Sequence, residues 1–208
     1  MNILKSVSYL SRNSKEIKKI DEQIKKLPSN QSISKEILDM LNNSTSKVVL
    51  DEEIKNSYYV YLNDTLYISN RKKIKDNFQR VILISHEVIH SIQNKLIQKL
   101  NFAFSNLELI MFMMATIFFV FNINISFFKY SYIAISLLSI VIRLYLEINA
   151  VNGSVRLSEK YLNSKALIQD VASIIAVYKT RINLMYPLFI LSLLFWKVIR
   201  IALVIYLF

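Results

Sequence analysis

The chain contains no cysteine. Disulfides are therefore excluded, and so is any metal site built on thiolate. Only two histidines occur in 208 residues, so a metal site would have to combine imidazole with carboxylate. Acidic residues are also scarce, 15 against 26 Lys and Arg, which leaves a net charge of +11. The single glycine, Gly153, accompanies an excess of Ile, Lys and Asn; this compositional bias carries no functional reading. Met1 to Lys26 lacks an apolar core of the length a signal peptide needs. The first hundred residues are accordingly expected to stay on the side of synthesis. Internal repeats and low-complexity linkers are absent too.

Charge is unevenly distributed. Residues 1–100 are basic and mixed in character, whereas 101–208 contain long runs almost without charge. A strongly basic chain suits a nucleic-acid binder or the cytoplasmic part of a membrane protein. The apolar runs downstream favour the second, so a lipid bilayer is the expected partner and nucleic acid is not.

The pattern along the chain predicts a mainly α membrane protein with a small α+β polar region. Ile17, Ile20 and Ile24 recur at helical spacing within 3–26, and Pro28-Ser29-Asn30 ends that helix. A second helix, capped by Ser32 or Ser34, buries Ile37, Leu38 and Leu41. Val48-Val49-Leu50 is too short to assign. Tyr58–Leu62 and Thr65–Ser69 read as two strands of a β-hairpin with Asn63-Asp64 between them. One long helix is expected from about Lys75 to Lys99. Leu109 to Phe128 has no charged residue, enough to cross a hydrocarbon core, and Tyr130 to Leu146 is interrupted only by Arg143. These two runs predict a transmembrane hairpin with its tip around Asn122–Ser131. The tail, Ile182 to Phe208, carries Pro187, Lys197 and Arg200 and is expected to form a further membrane segment. The organisation predicted is a basic segment 1–30, a polar part 31–101, a hairpin 102–146, a helical segment 147–181 and a membrane segment 182–208.

The chemistry concentrates at 84–92, Ile-Ser-His-Glu-Val-Ile-His-Ser-Ile. His86 and His90 are four apart, so on a helix they project from one face and can share one zinc ion. Glu87, beside the first, stands where a general base takes a proton from a metal-polarised water. Two histidines fall four apart by chance about one time in a hundred, and with Glu in second place roughly one in two thousand. A catalytic zinc keeps three protein ligands and an open position. With no third His, the third ligand must be Asp or Glu. Glu147 follows the second apolar run, and an even number of crossings returns it to the face of His90. Its alternative is an i,i+4 ion pair with Arg143. Glu159 is the next candidate ligand.

These residues resemble a bacterial family of small membrane-bound neutral zinc metallopeptidases, the YugP-like peptidases. The resemblance is carried by Tyr67-Ile68-Ser69, His86-Glu87-Val88-Ile89-His90-Ser91-Ile92-Gln93 and Glu147-Ile148-Asn149-Ala150, in the family's order, with Ser34–Leu38 similar to its first helix. The chain departs from the family in four places. It opens with a basic stretch in place of a transmembrane helix, it has Asn56-Ser57-Tyr58 in place of Asp-His-Tyr, Ile89 stands where glycine is usual, and the chain after Ala150 runs differently. The apolar runs and the basic first half predict a multi-pass protein of the cell membrane with its catalytic region facing the cytoplasm, and the resemblance implies that this protein is a peptidase. It would hydrolyse peptide or protein substrates with zinc on His86, His90 and Glu147. The rival readings are an intramembrane-cleaving zinc protease and an inactive membrane adaptor that retains the motif.

Overall fold

A computed structural model describes residues 14–70, 78–121, 123 and 126–207. The expected helical stretch before residue 14 and the start of the predicted helix at 75–77 lie outside the described residues. Pro28 and Ser29 set the first boundary. Helix α1, Ser14–Lys25, buries Ile20 and Ile24. Proline cannot continue a helix, and α2, Asn30–Met40, begins anew after it. Its cap is Ser29, whose Oγ accepts the Ser32 amide at 3.2 Å; Ser32 and Ser34 lie inside the helix. Beyond the helix the chain turns at Asn42, which takes a left-handed φ of 52°, a conformation asparagine tolerates better than most residues.

Three strands follow: β1, Lys47–Asp51, β2, Tyr58–Val60, and β3, Thr65–Ser69. The expected β2–β3 pairing is present and antiparallel. Val48-Val49-Leu50 forms part of β1, which joins β3 in parallel to give the order β1-β3-β2. The central strand buries Leu66 and Ile68 on one face and Thr65 and Ser69 on the other. The turn into it is built on Asp64, whose carboxylate accepts from Thr45, Ser46 and the Tyr59 hydroxyl.

The helix predicted across 75–99 is two helices. α3 spans Arg80–Ile92, and α4 spans Lys95–Val120. Gln93 is extended at ψ 156°, and Asn94 then caps α4, its Oδ1 accepting from Leu96 N at 2.8 Å and Ile97 N at 3.4 Å. A capping Asn competes with the continuing backbone bond, and hydrophobic periodicity does not report that competition. Arg80, 3% exposed, donates to the carbonyls of Ile24, Leu27 and Pro28. It thereby ties down the last turn of α1 and the chain that leaves it.

Two long helices complete the chain: α5, Ser126–Asn163, and α6, Val171–Leu207, which continues through Pro187. Two compact units result. Residues up to Gln93 form one with Asn149–Met185, and Asn94–Ile148 form the other with the chain from Tyr186 onward.

In the first unit the core gathers Ile24, Ile33, Ile37, Leu66, Ile68, Val81, Val88, Ala150, Tyr161 and Tyr178. Here α3 and α5 approach through small residues. Ser158 Oγ donates to Ser85 Oγ at 3.1 Å, and a Cβ on Gly153 would stand 2.9–3.2 Å from three side-chain carbons of Ile89.

The second unit packs Met111, Ala115, Tyr132 and Val204 together and leaves Phe121, Phe127 and Tyr206 outward and exposed. Lys95–Val120, Phe127–Asn163 and Val171–Tyr206 are each long and apolar enough to cross a membrane.

Candidate metal centre

The i,i+4 spacing on α3 turns His86 and His90 to one side, both half-buried. Their Nε2 atoms are 3.2 Å apart and their rings nearly perpendicular, at 88°. Two imidazoles on one tetrahedral zinc ion, at about 2.0–2.1 Å each, would hold their nitrogens about 3.3 Å apart. The observed pair fits that spacing without rearrangement.

His90 is fixed from behind. Its Nδ1 lies 2.8 Å from Oε1 of Gln93, and Gln93 Nε2 donates to Asn149 Oδ1 at 3.4 Å. Because the glutamine amide donates to Asn149, its oxygen is the acceptor for His90. That places the ring proton on Nδ1 and leaves Nε2 as the lone-pair nitrogen. Outer partners of this kind set tautomer and orientation in metal sites.

Glu147 precedes Asn149 by two residues on the same unbroken helix, so the packing of Asn149 onward in the first unit determines where it stands. It is 3% exposed, and one ligand atom from each of His86, His90 and Glu147 lies within 4.8 Å of the others. Arg143 Nη2 contacts its Oε1 at 2.9 Å. The two roles weighed for Glu147 are therefore compatible: the ion pair engages one oxygen, and a metal would need only one carboxylate oxygen as ligand. Glu159 is exposed and stands outside this group. It lies three turns further along α5, about 18 Å away by helical rise.

Comparison with protein-family models, curated proteins and solved structures finds no match for this chain. The site is defined by its own geometry. Two imidazole nitrogens and a carboxylate converge, and the group can hold a metal ion.

Glu87 belongs to the same turn of α3 and is half-buried. Its Oε2 accepts the amide of Tyr59 on β2 at 3.0 Å. β2 is an edge strand, so this contact occupies an amide that the sheet leaves unused. Tyr59 is held in turn by its hydroxyl, which donates to Asp64 Oδ1 at 2.7 Å. Burial, and then this hydrogen bond to a carboxylate, push the phenol pKa well above its usual range, so Tyr59 acts as a neutral prop.

Sequence spacing identified the two histidines and Glu87. It gave no role to Gln93, Asn149 or Tyr59. Gln93 and Asn149 stand within the stretches that carry the resemblance, and Gln93 follows His90 by three residues, the distance at which helical side chains meet.

Proposed function

We propose that this chain is a membrane-bound zinc metallopeptidase. The observation that carries the reading is the 3.2 Å separation of the His86 and His90 Nε2 atoms with the Glu147 carboxylate beside them. A donor set of two imidazoles and one carboxylate is the kind that catalytic zinc takes while keeping a position open. Zinc bound there would supply Lewis acidity, polarising a carbonyl and making a water acidic near neutral pH. Glu87 does not join the ligands; Tyr59 fixes its rotamer from the sheet side. Its carboxylate takes the proton from the attacking water and returns it to the leaving amine. Gln93 keeps His90 in the tautomer that presents Nε2. Arg143 balances the charge that Glu147 brings into a buried position.

The three apolar helices support a multi-pass protein of the cell membrane. The excess of Lys and Arg before residue 101 supports a catalytic region on the cytoplasmic side. The resemblance to the YugP-like peptidases agrees with this reading on residues 84–93 and 147–150. Substrates are peptides or proteins reaching the membrane surface.

Metal analysis of protein purified in detergent tests the proposal. Wild type is expected to carry about one zinc ion per chain and to cleave peptides in a chelator-sensitive way. His86→Ala and His90→Ala should each lose both properties. Retention of the metal by both variants would sink the assignment.

A further inference from the structure

Three ionisable side chains with no part in the metal centre meet inside the second unit. Glu108 on α4 is 1% exposed. Lys197 and Arg200, three residues apart on α6, both reach its carboxylate: Lys197 Nζ donates to Oε2, and Arg200 Nη2 lies 3.2 Å from Oε1. Lys197 also donates to Ser139 Oγ on α5 at 2.7 Å. Ser139 Oγ lies 3.2 Å from Ser105 Oγ on α4. Arg200 additionally lies over the Phe112 ring, 5.9 Å from its centroid. The cluster thus ties all three helices together.

Glu108 is the one charged residue between Asn101 and Val120, and Lys197 and Arg200 are the two between Ile182 and Phe208. At 1.5 Å per residue, Glu108 lies about 18 Å from the end of α4 and Ser139 about 20 Å from the start of α5. Lys197 lies about 15 Å from the end of α6. A hydrocarbon core about 30 Å thick therefore puts the cluster near its middle. From there neither cation can reach the far headgroups along its own side chain. Both turn inward instead, Lys197 with 13% and Arg200 with 24% of the side chain exposed.

We propose that Glu108 is the counter-charge that holds α6 in the bilayer as a third span. This inference rests on the membrane reading of the apolar helices and is independent of the peptidase reading. α4 and α5 form a hairpin whose only mid-depth charge is the carboxylate. α6 by itself brings two cations to that depth, each disfavouring insertion by about a hundredfold when unpaired. The carboxylate, Ser139 and the Phe112 face together receive them. α6 is apolar enough to span; what its partner helices supply is a prepared site for the two cations that it carries to mid-depth.

The absence of cysteine makes accessibility labelling in intact membranes a direct test. Ile123→Cys, between α4 and α5, and Tyr206→Cys, near the end of α6, are both expected to label from the face opposite the basic residues. In Glu108→Leu, and less completely in the near-isosteric Glu108→Gln, the Tyr206→Cys site should become reachable from the basic side, with the ratio of faces shifted by about a hundredfold or more in the Leu variant, which leaves both cations without their carboxylate. The Ile123→Cys site should not change. Adding Lys197→Leu and Arg200→Leu to Glu108→Leu should restore the original pattern. If Tyr206→Cys keeps its face in both Glu108 variants, the clasp is refuted while the hairpin stands. If Ile123→Cys labels from the basic side in the parent chain, the membrane reading falls and this inference falls with it.

Discussion

Gln93 Nε2 donates to Asn149 Oδ1 at 3.4 Å, while Gln93 Oε1 lies 2.8 Å from His90 Nδ1. One side chain thus joins the helix that carries the histidines to the helix that carries Glu147. It also sets which nitrogen of His90 faces the site. Losing such an outer partner typically costs ten- to a hundredfold in metal affinity. Gln93→Leu is expected to lower zinc affinity by about that factor, and Asn149→Ala by less, because it leaves the His90–Gln93 bond in place. Competition with a chromogenic chelator measures this, and unchanged affinity in Gln93→Leu would show that His90 needs no support.

Glu87 and Glu147 should separate under one substitution. Glu87→Gln keeps every ligand, so zinc content should match wild type while peptide hydrolysis falls by about a hundredfold to ten-thousandfold. Glu147→Gln alters the ligand set and leaves Arg143 without its counter-charge, so metal and activity should fall together. Full zinc and full activity in Glu147→Gln would reduce Glu147 to an ion-pair partner. Unchanged activity in Glu87→Gln would favour an adaptor that keeps the motif without using it.

The one glycine of the chain faces Ile89, the residue that stands within the motif where the resembling family has glycine. Ile89 fills the room that Gly153 leaves. Gly153→Ala gains about 1 kcal/mol of helix propensity but forces three carbons of Ile89 to move, and overpacking costs about 1–3 kcal/mol. Net destabilisation is expected. In an Ile89→Ala background the same change should become neutral or stabilising. Thermal unfolding in detergent across the double-mutant cycle gives the coupling; equal effects in both backgrounds would mean that Ile89 is not the obstacle.

Glu36 ties α2 to the end of α5 and the segment after it. Its Oε2 accepts from Lys165 at 2.6 Å and from Tyr161 at 2.8 Å. Burial raises its pKa, but the hydrogen bonds from Lys165 and Tyr161 and the Lys165 charge outweigh that, holding it below the ordinary 4.5. A carboxylate depressed on folding contributes stability above its unfolded pKa and loses it as pH falls through the folded value. Unfolding curves of wild type and Glu36→Gln should therefore differ near neutrality and converge as pH falls through the lowered folded-state value. Because the pair is partly solvent-exposed, the difference should be small. A constant offset at all pH values would assign the effect to packing.

Some of this protein was determined by the sequence alone. The shared face of His86 and His90 follows from helical rotation over four residues. The three apolar helices follow from runs of residues that avoid charge. Both are local properties, readable wherever the chain's period or composition is uniform. Tertiary structure decided the rest. Val48-Val49-Leu50 became a strand because β3 offered a parallel edge. The break at Gln93-Asn94 arose from a capping bond that periodicity does not encode. Glu147 rather than Glu159 reached the histidines because the packing of α5 on α3, through Gly153, Ser158 and Ala150, sets which turn of a long helix stands at that level. Glu108 met Lys197 and Arg200 across some ninety residues of chain, a pairing that exists only once three helices lie side by side. Side-chain partners that far apart are chosen by shape and charge in the assembled core, and no window of sequence contains both.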